Sequence, residues 1–285
     1  MYDFEIERIN REIKKRKAKR VLIQLPEGLK GRFLEIADRL NAECVLSGDP
    51  CFGACDIQTY PETDLTIHFG HSKMLESKKV IYVESRSDAD ISGVVKKAAI
   101  GLSGKIGLIT TVQHIDELKE AKRLLENAGK KIIIGGQVLG CDVSNAIKVK
   151  DKVDWFLFIG SGRFHGLGVA YFTGKQVMLA DPYTGKIELI EPESLEKEKY
   201  LRIEKAHNAR TYGIIVGTKP GQKKMLIAEK IRKRLGRAYL IFMNEITPER
   251  LDYLPFDAFI ITACPRIVID DWKNYRKPIL LSEEA

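Results

Sequence analysis

One order of elements occurs three times along the chain, and this repeat limits the possible folds more than any other feature. The first copy opens with the apolar run Val21 to Leu25, a turn at Pro26-Glu27-Gly28 and a helical stretch reaching Leu40. A short strand around Cys44 to Leu46, a Gly/Pro/Cys loop and a strand Leu65 to Phe69 follow. The second copy runs from strand Ile106–Thr110 through a helix at about Ile115–Ala128 to strands Lys131–Ile134 and Trp155–Ile159. The third has strand Tyr212–Val216, a helix at about Lys223–Leu235, and strands Ala238–Phe242 and Ala258–Thr262. Corresponding strands are 44 residues apart from Ile23 to Ile67, 48 from Leu108 to Phe156 and 45 from Ile215 to Ile260. Matched order at matched length is the mark of one supersecondary unit reused. Strands that are continuous apolar runs, alternating with amphipathic helices, predict parallel sheets covered on both faces.

The expected fold is therefore α/β, with three small parallel-sheet domains in pseudo-threefold arrangement around one site. Their expected boundaries are 1–103, 104–210 and 211–285. Gln176 to Ile190, centred on Asp181-Pro182-Tyr183-Thr184-Gly185-Lys186, reads as an inserted β-hairpin. Phe4 to Ile13 reads as a leading helix. Three units in 285 residues are smaller than usual domains. No apolar run approaches the roughly 20 residues of a membrane span. The first twenty residues have no apolar core, so no secretory leader is expected and the reading is cytoplasmic. Net charge is +8, partly from the run Lys14 to Arg20. Such runs are usually solvated helix faces, and no aromatic residues interleave this one as a single-strand binding platform needs. A basic nucleic-acid-binding module is thus an alternative with little support, and nucleic acid is not an expected partner.

The chain has five cysteines, an odd number, in a sequence without export signals. A disulfide framework is not expected; metal ligands, reactive thiols or core filler are. Ligands of parallel sheets bind beyond the carboxyl ends of the strands. Cys55, Cys141 and Cys264 each lie there, one per unit. If those faces pack together, three thiolates converge and can hold three corners of a 4Fe-4S cube, leaving one iron open to a substrate. Buried core cysteines and a zinc site are the rival readings. Cys44 reads as core. Cys51 forms C-x-x-x-C with Cys55 and reads as a fourth ligand, a redox partner or neither.

An ordered set of short motifs then carries a family resemblance. Leu25-Pro26-Glu27-Gly28-Leu29, Gly48-Asp49-Pro50-Cys51-Phe52-Gly53-Ala54-Cys55-Asp56, His68-Phe69-Gly70-His71-Ser72, Gly140-Cys141-Asp142, Gly160-Ser161-Gly162-Arg163-Phe164-His165 and Ala263-Cys264-Pro265-Arg266 occur in this order. Together, from about Lys19 to Asp271, they resemble the archaeal diphthamide synthesis enzymes, the 2-(3-amino-3-carboxypropyl)histidine synthase family. The resemblance implies a 4Fe-4S cluster on Cys55, Cys141 and Cys264, with Cys51 outside the set. It implies S-adenosylmethionine at the open iron and cleavage from sulfur to the methionine γ-carbon, with release of 5′-methylthioadenosine. The 3-amino-3-carboxypropyl radical then adds to C2 of a histidine in translation elongation factor 2. It also implies a homodimer and an outside electron donor. The C-x-x-x-C-x-x-C of ordinary radical enzymes using this cofactor is absent, as cleavage of a different bond would have it. Quinolinate synthase, another three-domain protein with an open iron, is the alternative enzyme.

Binding residues for the S-adenosylmethionine are less sharply marked. Arg163 is a candidate clamp for its carboxylate, since a guanidinium fork fits one. Gly162 and His165 flank it; the loop is not a dinucleotide fingerprint, because His165 stands where the third glycine belongs. Gln24, Glu27 and Gly28, at the end of the first strand and in the turn after it, are candidate binding residues, with Glu27 suited to an amino group or ribose hydroxyls. Gly221 lies in the matching loop of the third unit, Gly217-Thr218-Lys219-Pro220-Gly221-Gln222-Lys223, which lacks the Gly-Lys-Ser/Thr of a phosphate loop. His71 and Ser72 are candidate pocket walls. No acid–base residue beyond the cluster is expected, because the cofactor carries the hard chemistry.

Overall fold

The computed structural model describes residues 2–285. Its contacts divide the chain into two compact bodies. The first holds the residues up to Asp88 together with Lys219–Gly221; the second holds Ala89–Thr218 and Gln222–Ala285.

In the first body, helix α1 (Ile6–Arg16) leads into strand β1 (Arg20–Gln24). A 3-10 helix (Glu27–Arg32) and the short α2 (Phe33–Ala37) follow, then β2 (Glu43–Leu46), β3 (Leu65–Phe69) and β4 (Val80–Val83). The sheet is parallel in the order β2-β1-β3-β4. β1 and β3 are buried almost throughout, as central strands covered on both faces must be. Ile9 and Ile13 of α1 pack with Val21, Ile23 and Ile67. Lys14, Lys15 and Arg16 occupy the last turn of α1, where its dipole favours cations. The long helix expected to reach Leu40 is replaced by the 3-10 and α2 pieces. Gly31 in its first turn works against a regular helix, since glycine costs a helix about 1 kcal/mol relative to alanine.

The second body opens with α3 (Ser92–Gly101), then β5 (Lys105–Thr110), α4 (Leu118–Asn127), β6 (Lys131–Gln137), α5 (Ser144–Ile147) and β7 (Trp155–Ile159). Next come α6 (Phe164–Thr173), β8 (Val177–Ala180), β9 (Ile187–Ile190) and α7 (Pro192–Ala206). The order is β6-β5-β7-β8-β9, all parallel except the β8–β9 hairpin. The remainder is β10 (Tyr212–Gly217), α8 (Met225–Arg234), β11 (Ala238–Met243), α9 (Pro248–Asp252), β12 (Ala258–Ile261), α10 (Arg266–Asp271) and β13 (Ile279–Leu281). These strands form a parallel sheet in the order β11-β10-β12-β13.

Each sheet places its first strand between its second and third, so the threefold repeat is a repeat of topology. The expected hairpin is present at β8–β9. The boundary expected at residue 103 differs from the packing. Val94, Val95 and Ala98 of α3 belong to the core of the middle sheet, with Ile106, Leu108 and Leu157, so the first body ends near Asp88. Helix α7 joins the two sheets of the second body, with Leu195 in one core and Ala206 in the other. Its Arg202 is buried and paired with the equally buried Glu284. Among the described residues no helix is long and apolar enough to cross a membrane.

Candidate metal centre

None of the five cysteines is joined in a disulfide. Their surroundings sort them. Cys44, on β2, points its thiol at the carbonyls of Ala42 and Ala37, and burial raises its pKa. It is core filler. Burial pushes the Cys51 thiol up to about 12, with the Asp56 charge acting in the same direction. The other three sit in turns beyond strand ends.

Cys55 is held on four sides within the first body. A turn closes over it, from the Asp56 N–H to the Gly53 carbonyl at 2.9 Å. The Gln24 side chain, at the end of β1, donates to the Asp56 carbonyl at 2.6 Å and accepts from the Gln58 N–H at 3.3 Å. Lys219 Nζ meets the Asp56 carboxylate at 2.6 Å, both side chains buried. The Gly221 N–H donates to the Cys55 carbonyl at 2.9 Å. The approach is so close that a Cβ on Gly221 would stand 2.5 Å from the Cys55 Cα. Lys219 also lies 4.9 Å from the Phe52 ring centroid, a cation–π contact that covers the pair. Removing one partner of a buried ion pair leaves the other charge unmet and costs about 3–5 kcal/mol. Lys219→Met is therefore expected to lower unfolding stability by about that amount in urea melts. Lys219→Met with Asp56→Leu should recover much of it.

The end of β3 adds a buried chain of polar rings. His68 Nδ1 is 2.9 Å from Gln24 Oε1, an acceptor, so the His68 proton lies on Nδ1. His68 Nε2 then faces His71 Nδ1 at 3.0 Å. Burial depresses both pKa values, His68 to about 3 with help from its neighbour, and His71 to about 4 against a hydrogen bond to Phe69. An unfolded chain protonates these rings near 6.5 while the folded body keeps them neutral. Below 6.5 the unfolded state binds more protons, so this stabilisation is complete above that pH and declines as the pH falls toward 4. Thermal melts in chelator should show the decline setting in below about pH 6.5, above the carboxylate range. His71→Gln should flatten it.

Cys141 and Cys264 are tied to each other's surroundings within the second body. Cys141 is exposed, in a turn between β6 and α5 closed from the Leu139 N–H to the Asp142 carbonyl at 2.9 Å. Cys264, half-buried, lies between β12 and α10. Two residues on, the Arg266 guanidinium is buried, 3.8 Å from the Phe164 ring centroid. It donates to the Phe164 carbonyl and, at 2.8 Å, to Asp270. Burial lowers its pKa, and the Asp270 carboxylate opposes that shift. Phe164 in turn fills the space beside Gly140, where a Cβ would stand 1.9 Å from its ring. A Cβ on Gly168 would reach the Gly140 carbonyl at 2.8 Å. Start of α6, turn of Cys141 and turn of Cys264 are thus packed as one block.

The sequence-expected binding residues fare differently. Gln24 is buried and its amide is engaged with Asp56, Gln58 and His68, which makes it a positioning residue of the Cys55 turn. Gly221 likewise serves Cys55 through its backbone. Glu27 is exposed and pairs with Lys30 at 2.6 Å; Gly28 beside it has nothing within 4 Å of a Cβ position. Ser72 donates to Glu84 at 3.2 Å. Arg163 is exposed and pairs with Glu188 at 2.6 Å, beside Gly162 in left-handed backbone at φ 75°. His165 stacks on Phe158, ring centroids 5.6 Å apart. Lys219, Asp56, Phe164 and Arg266 carry roles that the sequence reading did not assign. All four lie inside the motifs given above, but their pairings are non-local.

Three α/β sheets with one strand order, each followed at a strand end by one cysteine outside any disulfide, define a class of three-sheet α/β protein. The family model described as "Putative diphthamide synthesis protein" matches residues 25–285, and the chain belongs to that family. It is 41% identical over 302 residues to the 2-(3-amino-3-carboxypropyl)histidine synthase of Pyrococcus horikoshii, covering 97% of this chain and 87% of that one. The synthase of the same name from Methanocaldococcus jannaschii is 32% identical, with 100% of this chain and 89% of the relative covered. The crystal structure of Dph2 from Pyrococcus horikoshii with a 4Fe-4S cluster superposes with a TM-score of 0.87 at 37% identity, over 100% of this chain and 90% of that chain.

Proposed function

We propose that this chain transfers the 3-amino-3-carboxypropyl group of S-adenosylmethionine to C2 of a histidine in translation elongation factor 2, the first step of diphthamide synthesis. Its family membership, with a like-named synthase 41% identical over nearly the whole chain, is the observation that carries the reading. Cys55, Cys141 and Cys264 would hold a 4Fe-4S cluster. The donor set fits: one cysteine thiol in each of three strand-end turns, while the half-buried Cys44 thiol lies against the Ala42 carbonyl. Three ligands for four irons leave one coordination position for substrate. When bound, the cluster supplies the single electron that cleaves the substrate bond from sulfur to Cγ.

The chain's own residues have positioning work. Gln24, Lys219, Asp56 and Gly221 fix the Cys55 turn. Arg266 and Phe164 fix the turns of Cys141 and Cys264. The Arg163 guanidinium, freed from Glu188, is the carboxylate clamp for the methionine end. Glu27 and Gly28 offer contacts to amino or ribose groups; His71, Ser72, Gly162 and His165 complete the binding set. Sulfonium and imidazole go to thioether, substituted imidazole and a proton, so the net reaction is redox neutral. The enzyme works as a cytoplasmic homodimer supplied by an outside one-electron donor.

Anaerobic reconstitution with iron and sulfide tests the reading. It should give brown protein with about four irons per chain and a low-temperature EPR signal on reduction. Colourless, iron-free protein would contradict it. Salt-sensitive nucleic-acid binding by such iron-free protein would favour the nucleic-acid alternative.

A further inference from the structure

The first body brings together a second set of metal-ligating atoms. One ligand atom each from Cys51, His68 and His71 lies within 4.8 Å of the other two. Cys51 and His68 are buried and His71 is half-buried. His68 ends β3, and the left-handed backbone of Gly70 (φ 81°) turns the chain so that the His71 ring returns against it. The Gln24 amide oxygen accepts a hydrogen bond from the His68 Nδ1–H, so the Nε2 lone pair is on the side that faces His71. His71 is anchored by its hydrogen bond to Phe69. Metal-bound imidazoles are oriented in this way, by an acceptor on the far nitrogen or a nearby backbone carbonyl.

We propose that Cys51, His68 and His71 form a binding site for a zinc-class divalent cation, distinct from the cluster cysteines. One thiolate and two neutral imidazoles are the donor types such an ion prefers, and three protein ligands leave its fourth tetrahedral position open. A coordinated thiol gives up its proton, so binding releases one proton from Cys51 and overrides the effect of burial. The ion would staple the 47–58 loop to the end of β3. The site needs no iron, so it stands or falls separately from the reading of the cluster.

Cobalt titration of the full-length, iron-free, reduced protein provides the test. Wild type should bind one equivalent, with a sulfur-to-cobalt charge-transfer band and tetrahedral visible bands that one equivalent of zinc abolishes. The charge-transfer band should vanish in Cys51→Ser, and stoichiometric binding should be lost in His71→Ala. Both should persist when Cys55, Cys141 and Cys264 are all serine. No band, or a band that survives Cys51→Ser and disappears in the triple variant, would overturn the proposal. Should the variants misfold, X-ray absorption of zinc-loaded wild type decides. One sulfur at about 2.3 Å and two imidazole nitrogens at about 2.0–2.1 Å support the site, and any other ligand set refutes it.

Discussion

Cys55→Ala, Cys141→Ala and Cys264→Ala are each expected to lose the reduced-cluster EPR signal and to drop S-adenosylmethionine cleavage to background. Cys51→Ala should keep the cluster signal, and Cys44→Ala should keep both signal and activity. The expected split follows from the surroundings of the five thiols. Cys55, Cys141 and Cys264 stand in turns beyond parallel strands, where small neighbours admit a bulky ligand. Cys44 directs its thiol into its own backbone, 3.5 Å from the Ala42 carbonyl, and burial keeps it protonated. Cys51 faces the His68 and His71 rings instead, with one ligand atom of each within 4.8 Å of the other two. Iron and sulfide analysis beside the EPR of all five variants reads the result. Loss of the cluster in Cys51→Ala would give the cluster a fourth cysteine and close the open iron on which the chemistry depends.

Gly221→Ala is expected to be nearly as damaging, although no side chain is removed. The added methyl would lie 2.5 Å from both the Cα and the Cβ of Cys55 and 3.2 Å from its carbonyl oxygen. Two of those atoms are backbone, so no flexible side chain can yield; the Cys55 turn must move. Overpacking of this kind costs about 1–3 kcal/mol. A displacement of about 1 Å at a reacting centre costs about 100-fold in rate. The variant should therefore fold, with slightly lowered stability, but load cluster poorly and turn over about 100-fold more slowly. Gly236→Ala is the control, because nothing stands within 4 Å of its Cβ position. Equal, wild-type cluster content in both variants would show that the Cys55 turn does not depend on the Gly221 contact.

Much of the fold is legible before any coordinates. Strands such as Leu65–Phe69 and Trp155–Ile159 are uninterrupted apolar runs, and buried parallel strands have that signature whatever surrounds them. The fourth strands of the outer sheets, Val80–Val83 and Ile279–Leu281, escape notice because three or four apolar residues have no period to detect. The stretch after the Pro26-Glu27-Gly28 turn reads as one helix to Leu40, whereas it is a 3-10 turn from Glu27 to Arg32 and a short helix from Phe33 to Ala37. Helix Ser92–Gly101 lies before the boundary expected at residue 103 but packs in the core of the sheet that begins at Lys105. The cysteine positions are legible because the repeat aligns them. What holds them is not. Lys219 and Asp56 meet across 163 residues of sequence, and Arg266 and Phe164 across 102. Such pairs leave no local pattern. Lys219 even lies in a loop that invites comparison with a phosphate site, whereas its ammonium is spent on Asp56.

The direction of bond cleavage is the most direct test of the proposed chemistry. Reconstituted protein, S-adenosylmethionine, a strong one-electron reductant and elongation factor 2 should be combined without oxygen, and the nucleoside product identified by chromatography and mass spectrometry. 5′-Methylthioadenosine should form in proportion to a 3-amino-3-carboxypropyl group on one histidine of the factor. 5′-Deoxyadenosine in its place, or no cleavage by protein with a full complement of iron, would contradict the account.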